Sequence, residues 1–515
     1  MMARCRILFS TLLAAVSATG AAACSRVVAV NEDNDHYFHL RGPEDMTVAA
    51  LEAYVDSFAG GKVTHFVMCP SGQRTSYDSK AWEPIWKALE EPGGEGMRWA
   101  SNAKLLRDRG IDPYRVWIRR CREKGISPWL SPRMNDAHFA TSKWPLRNTT
   151  FWRTRPDLRM KEGPFDFSHA EVRDYTYALV EELIERYDVD GIELDFMRFD
   201  RYFPEGSGRD NAHHLDAFVE RIKNRLAVRE RILGHPVRLG ARVPTTVQAA
   251  LSRGCDVCKW VREGWVDWVC ASAYWYSPDY NLQTEDWRKG FGAVAGRVTL
   301  LAGTDYGVAP FGTSIRTDMT PELFAGFADV EWGNGVDGIY LFNAIYLANA
   351  LGEICRRGLF PEDLPSYRRR YPVSYREGHY GVVDSDLQLP RTSDRPNRFR
   401  IRLGSNPVGT PSVVLGVGDA GEFAPEVALN GVKPVCSSEA RVEITYYDNP
   451  RRNRSMNARR YDFPEGSVHP GPDNIVEVGV TAKKFQIHWC EIALDASAMA
   501  QKGFAGDTKK KENKP

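Results

Sequence analysis

At 515 residues the chain is longer than one ordinary core can organise, so two or three domains are expected. Its 68 basic and 67 acidic residues leave a formal charge of +1, and 43% hydrophobic with 26% charged residues is the balance of a globular chain. That balance argues against nucleic acid or an anionic membrane surface as a partner.

The first 24 residues read as a targeting segment. Arg4 and Arg6 give a basic start, residues 7–18 are apolar but too few to span a bilayer, and Ala21, Ala22 and Ala23 supply small residues for cleavage. Cys24 follows at once, so the segment fits either a plain secretory signal or a lipoprotein signal with Cys24 as the lipidated residue. The expected location is outside the cytoplasm: periplasmic, secreted, or on the outer membrane with lipid on Cys24 as the attachment.

Residues 26–31 form the first expected strand and run into Glu32-Asp-Asn-Asp-His-Tyr37. A helix at 47–59 follows, with Thr47 as its cap. The second strand, 63–69, precedes a Trp- and Gly-rich insertion to about Gly96. A helical stretch at 100–124 is interrupted by Pro113. The third strand, 126–130, opens into Ser131-Pro-Arg-Met-Asn-Asp-Ala-His138. The Trp- and Arg-rich segment 143–167 then reads as an ordered loop over the strand ends. A helix at 170–187 feeds the fourth strand, 191–197. Helices at 212–232, 247–263, 284–295 and 320–334 alternate with strands at 237–243, 266–273, 298–303 and 338–342. The last three strands end at Tyr274-Trp-Tyr276, Thr304-Asp-Tyr306 and Asn343. Eight strands alternating with helices, nearly all followed by polar clusters, predict a (β/α)8 TIM barrel over residues 25–370 rather than an open sheet.

Beyond residue 370 short alternating apolar runs and Gly, Pro and Asn-Asp turns replace the helices. This predicts an all-β sandwich over 371–500, with Asn430-Gly431 as a hairpin turn and 501–515 as a disordered tail. Cys436 and Cys490 are a candidate disulfide in that segment, although spacing alone does not define connectivity. Cys255 and Cys258 form a CxxC without a second pair or nearby histidines, so no zinc site is expected.

The stretch that organises the chain is Asp188-Val-Asp-Gly-Ile-Glu-Leu-Asp-Phe-Met-Arg-Phe199. Strand side chains alternate, so Ile192, Leu194 and Phe196 share one face and Glu193 and Asp195 the other. Two acids facing one interior require a polar site there or basic partners such as Arg198 or Arg242. Cleavage of a glycosidic bond needs one carboxyl group to protonate the leaving oxygen and a second to act as nucleophile or to activate water. Asp195 is the leading catalytic candidate, with its second acid from Asp305, Glu193 or Asp136. Asp33, Asp35 and Asp279 also follow strand ends. His36, Asn135, Asp136, His138, Arg198, Arg242, Tyr274, Trp275, Tyr306 and Asn343 are the candidate substrate contacts. The arginines and histidines would also suit an acidic or sulfated sugar. No P-loop, Rossmann glycine pattern, HExxH or GxSxG is present, and Glu32 to Asp35 lacks EF-hand spacing. No cofactor or metal is expected, and the partner is a glycan.

Asp190-Gly-Ile-Glu-Leu-Asp-Phe-Met-Arg-Phe199 resembles the DGIxLDxxRF signature of glycosyl-hydrolase-like barrels, the family-10-like group of bacterial exported proteins. The resemblance covers about residues 26–370 and implies a TIM barrel acting on a glycan with Asp195 in its site. The same run is similar to a degraded family 18 chitinase motif, in which Met197 stands where that family has its proton-donating Glu. The chitinase mechanism is therefore not carried over, and a non-catalytic glycan-binding protein on a degenerate barrel is the alternative. The C-terminal segment resembles the galactose-binding-like sandwiches appended to glycosidases.

Overall fold

The computed structural model describes residues 26–138, 140, 148–161, 163–273, 278–308, 315–373, 389, 391–417, 423–446 and 454–496. Residues 1–24, read above as a targeting segment, and 501–515, read as a tail, lie outside them. No helix among the described residues is long and apolar enough to cross a membrane.

Strands β1 (Val27–Glu32), β2 (His65–Met68), β3 (Ser127–Leu130), β4 (Gly191–Asp195), β5 (Arg238–Val243), β6 (Trp268–Ser272) and β7 (Thr299–Gly303) lie in parallel around a closed barrel. A hairpin, β8 (Gly307–Val308) and β9 (Ile315–Asp318), interrupts the series before β10 (Gly338–Leu341), which closes the barrel between β7 and β1. The (β/α)8 expectation is met by all eight predicted strands. Two helices, Arg98–Asp108 and Pro113–Glu123, replace the stretch interrupted at Pro113, with Asp112 capping the second. The single helix predicted at 247–263 is two, Val247–Ser252 and Val257–Arg262. Gly254 between them takes φ +89°, which ends the first, and the Asp256 side chain accepts from the Lys259 N–H to start the second.

The lumen is filled in layers. Trp129 on β3 and Trp268 on β6 meet with ring centroids 4.5 Å apart. Gly191 on β4 and Gly240 on β5 make room for them. A Cβ on Gly191 would lie 2.5 Å from the Trp129 ring, and one on Gly240 2.8 Å from that of Trp268. Val27, Val67, Leu301 and Tyr340 complete this apolar plug, so the barrel is closed below its C-terminal end.

The C-terminal region is all β, as predicted. It begins with β11 (Arg369–Pro372), β12 (Arg391–Thr392), β13 (Asn397–Leu403), β14 (Pro411–Val417) and β15 (Val427–Leu429). It continues with β16 (Cys436–Tyr446), β17 (Arg454–Asp462), β18 (Gly471–Val478) and β19 (Gln486–Leu494). One sheet runs β11-β19-β14-β17-β16-β9-β8 with β12 also on β19, and a smaller one runs β13-β18-β15. Phe399 and Ile401 pack with Val413, Leu415 and Ile492 between them. Asn430 (φ 52°) and Gly431 (φ 78°) make the expected tight turn. Cys436 and Cys490 are both free, which corrects the candidate disulfide. Their strands, β16 and β19, are separated by β17 and β14, three steps of roughly 4.8 Å each, far beyond disulfide reach.

Two joints connect barrel and sandwich. The helix Pro321–Gly333 is buried almost all round, and its Asp329 accepts from Arg369 (2.9 Å) and from the Tyr371 hydroxyl (2.5 Å) on β11. The hairpin after β7 joins the larger sheet, with Arg316 opposite Thr445 and the Thr317 hydroxyl donating to the Glu443 carbonyl at 2.9 Å.

Candidate active site at the barrel mouth

The period-2 pattern of β4 turns Glu193 and Asp195 into the barrel as predicted, but they stand at different depths. Glu193 is fully enclosed (0% exposed). Its Oε1 accepts from Ser131 (2.9 Å) and the Tyr340 hydroxyl (2.8 Å), and its Oε2 from the Trp268 indole (3.1 Å). Burial, and after it the Asp195 charge, push its pKa up to about 7 against the pull of Tyr340, Arg242 and Ser131.

Asp195 is one strand repeat further towards the C-terminal end and is also buried (3% exposed). Arg242 on β5 donates to its Oδ1 at 3.0 Å, and the Met197 N–H donates to the same oxygen at 2.9 Å. Among the described residues no donor meets Oδ2. Arg242 is itself immobilised: its second terminal nitrogen donates to Ser272 at 3.1 Å, and its guanidinium lies 3.6 Å over the Phe342 ring. Of the two basic partners the sequence suggested, Arg242 makes the contact. Arg198 instead donates to Nε2 of His138 at 3.0 Å.

Above this layer runs a chain of alternating charge. Arg133 pairs with Asp33 from the β1 end and with Asp136 at 2.6 Å. Asp136 then accepts from His138 Nδ1 at 2.5 Å. A guanidinium only donates, so His138 Nε2 accepts from Arg198 and its proton sits on Nδ1, facing Asp136. Burial holds the His138 pKa below its ordinary value, outweighing the Asp136 charge. Against the opposing effect of burial, Arg133 and Arg198 pull Asp33 down to about 2, and His138 and Arg133 hold Asp136 well below the carboxylate range. Neither acid carries a proton to donate near neutral pH.

At the β1 end His36 contacts both Glu32 oxygens at 3.1 Å, and Tyr54 donates to the same carboxylate. Burial alone would lower the His36 pKa; the Glu32 charge and hydrogen bond raise it. His36 meets the edge of Tyr346 at 4.9 Å, and Tyr346 lies 5.4 Å from Tyr306. Tyr346 is 38% exposed, so this aromatic group presents an open edge. Among the described residues, nearby strand ends carry buried polar atoms without a partner: Oδ1 of Asn31, both amide atoms of Asn34, Oγ of Ser71 and Oδ1 of Asn343. Glycine at position 72 keeps the approach open, since a Cβ there would lie 3.0 Å from both Asn34 Nδ2 and Asp136 Oδ2.

The structure therefore brings Asp195, Asp136, His138, Arg198 and Arg242 together, with His36, Tyr306 and Asn343 on other strand ends of the same barrel. Asp305 follows β7, and its Oδ1 accepts from the Tyr306 N–H at 2.7 Å. Asn135 is a correction: its amide is spent on backbone, donating to Phe165 (2.9 Å) and Arg201 (2.6 Å) and accepting from the Phe165 N–H (3.0 Å). It clamps two loops instead of facing a ligand. Tyr274 and Trp275 lie outside the described residues. Sequence reading missed Arg133, Asn34 and Tyr346; the first two lie within the polar runs after β3 and β1, which were the available signal. Among the described residues no three His, Cys, Asp or Glu side chains are grouped to hold a metal ion.

No family model and no curated protein matches the chain. Solved structures do. One is a Paenibacillus cycloisomaltooligosaccharide glucanotransferase complexed with cycloisomaltoheptaose, at 10% identity over 90% of this chain and 57% of that one, TM-score 0.34. Another is the galactosidase domain of an α-galactosidase-sucrose kinase, at 14% identity over 90% and 55%, TM-score 0.36. A chitinase from Ipomoea carnea aligns at 13% identity over 64% of this chain and 98% of its own, TM-score 0.33. The chain spans little more than half the length of the first two.

Proposed function

We propose that the protein is an exported glycoside hydrolase that cleaves O-glycosidic bonds of a poly- or oligosaccharide at the mouth of its barrel. The observation that carries this reading is the one-sided anchoring of Asp195. Arg242 and the Met197 N–H hold Oδ1, which orients the carboxylate and leaves Oδ2 as the oxygen to meet a reacting atom. Asp305, at the end of β7, is the second acid. Glu193 is a positioning residue: enclosed beneath Asp195 and biased towards its neutral form, it limits like-charge repulsion without touching substrate. Tyr346, braced by Tyr306, offers a ring for a sugar, and Asn34 and Asn343 offer partners for its hydroxyls. The DGIxLDxxRF resemblance points the same way, and export rests on the segment 1–24.

Purified protein assayed against plant, algal and host glycans tests the reading. Asp195→Asn should lower the rate by about 10²-fold or more, and a rate within about threefold of the parent would sink it. Met197 favours a second reading. It is buried (2% exposed) at the position of the chitinase proton donor and has no proton to give, as in a barrel that binds glycan without cutting it. Calorimetry on the same glycans separates the two, since binding heat without product supports the second.

A further inference from the structure

Near the C-terminal end of the barrel, residues that follow β3, β4 and β5 line a cavity. It measures about 340 Å³ and is lined by Arg159, Lys161, Arg201, Phe203, Glu205 and Arg253, together with Met160, Asp166 and Pro204. A neighbouring hollow of about 470 Å³ shares Arg159, Met160 and Lys161 and adds Trp152. The Asn135 clamp ties Phe165 of one loop to the carbonyl of Arg201, a lining residue, on the other. Arg201 is six residues from Asp195 along the β4 loop, which makes the cavity continuous in sequence with the candidate active site.

The charge in this cavity is unlike that of the mouth. There, Arg133 and Arg242 are each held by a carboxylate. Here the described lining residues carry four cations against two acids. Arg253 is engaged by Asp200 at 3.2 Å, and Asp166 accepts from the Ser168 N–H at 2.9 Å. Arg159 has no carboxylate among the described residues. Its guanidinium lies 3.7 Å over the Trp152 ring, and its Nε is buried with no partner among the described residues. Trp152 is fixed in turn by its indole, which donates to the Gly163 carbonyl at 2.8 Å. Burial pushes the Arg159 pKa below its ordinary value, the mark of a cation that loses water without gaining an anion. A planar guanidinium pre-oriented on an aromatic face is suited to a two-oxygen grip on an oxyanion, and Lys161 adds a second charge.

We propose that this cavity is a subsite for an anionic group on the glycan, a carboxylate or a sulfate ester, held by Arg159 and Lys161. The glycan as carrier of that group rests on the proposed hydrolase function; the anion preference rests on the cavity alone.

Calorimetry on the intact protein at low salt tests it, with trigalacturonate, a monosulfated galactose disaccharide and uncharged galactotriose as probes. At least one charged probe should bind about tenfold or more tighter than galactotriose, and the Arg159→Gln/Lys161→Gln double variant should lose that preference. A preference for trigalacturonate alone assigns the carboxylate, and one for the sulfated disaccharide alone assigns the sulfate. Equal binding of all three probes, binding of none, or a preference that survives the double variant overturns the proposal. Unchanged thermal unfolding of the variant shows that the loss is local. A charged preference with no turnover of any glycan in the panel would keep the subsite and remove the hydrolase. Turnover of a neutral glycan with no charged preference would do the reverse.

Discussion

The enclosed carboxyl of Glu193 makes stability depend on pH in a direction that can be calculated. Its pKa rises from 4.5 to about 7 on folding, chiefly through burial and next through the Asp195 charge. Between those values the folded protein keeps a proton that the unfolded chain releases. Stability must therefore fall as pH rises through this window and level off above it. A rise of that size, at about 1.4 kcal/mol per pH unit, corresponds to about 3 kcal/mol. Other groups titrate nearby: His36, raised by Glu32, contributes stability below its unfolded pKa that is lost as pH rises through its folded one. Comparison with Glu193→Gln removes such shared effects. Urea unfolding of parent and variant should be followed from about pH 4.5 to 8. The variant should gain about 3 kcal/mol relative to the parent across the window, whatever its absolute stability. Parallel profiles would refute the argument, because they would mean that Glu193 ionises in place as easily as in the unfolded chain.

Gly191→Ala should destabilise by about 1–3 kcal/mol in urea unfolding, because its Cβ would sit 2.5 Å from the Trp129 ring in a plug without slack; an unchanged midpoint would show that the indoles can move aside. Arg369→Met should cost about 3–5 kcal/mol by leaving Asp329 buried without its cation, and adding Asp329→Asn should recover much of it; additive losses would deny the coupling. Cys436, exposed, should react with iodoacetamide in the native protein and Cys490 only after unfolding, read by peptide mass; a Cys436–Cys490 cross-linked peptide would contradict the strand order.

The barrel was legible because its signals are local. Each strand is a short apolar run between helices, and the alternation in β4 places Glu193 and Asp195 on the inner face. Depth is not local. The two acids are one strand repeat apart, and how far each stands below the opening depends on how high the Trp129 and Trp268 indoles fill the lumen. That height depends on glycines at 191 and 240, on two different strands. The acids in the loops were harder still. Asp136 has the right composition and position for chemistry, but Arg133, three residues earlier, holds it on one side and His138 on the other. Asn135 shows the same effect in an amide: the residue type suits sugar binding, yet two loop carbonyls far along the chain claim its donors.

The hairpin after β7 had no signature in the sequence, since its partner strand lies more than a hundred residues away and neither segment is distinctive alone. Its consequence reaches the site. The Met319 N–H donates to the Tyr306 carbonyl at 3.0 Å, and the Arg316 guanidinium lies 4.4 Å over the Tyr306 ring, next to Asp305. Arg316 and Thr317 are at the same time joined to β16. The loop that carries the proposed second acid is thus braced by the C-terminal sheet. The sandwich then helps to set where Asp305 stands relative to Asp195, a role separate from any glycan binding of its own.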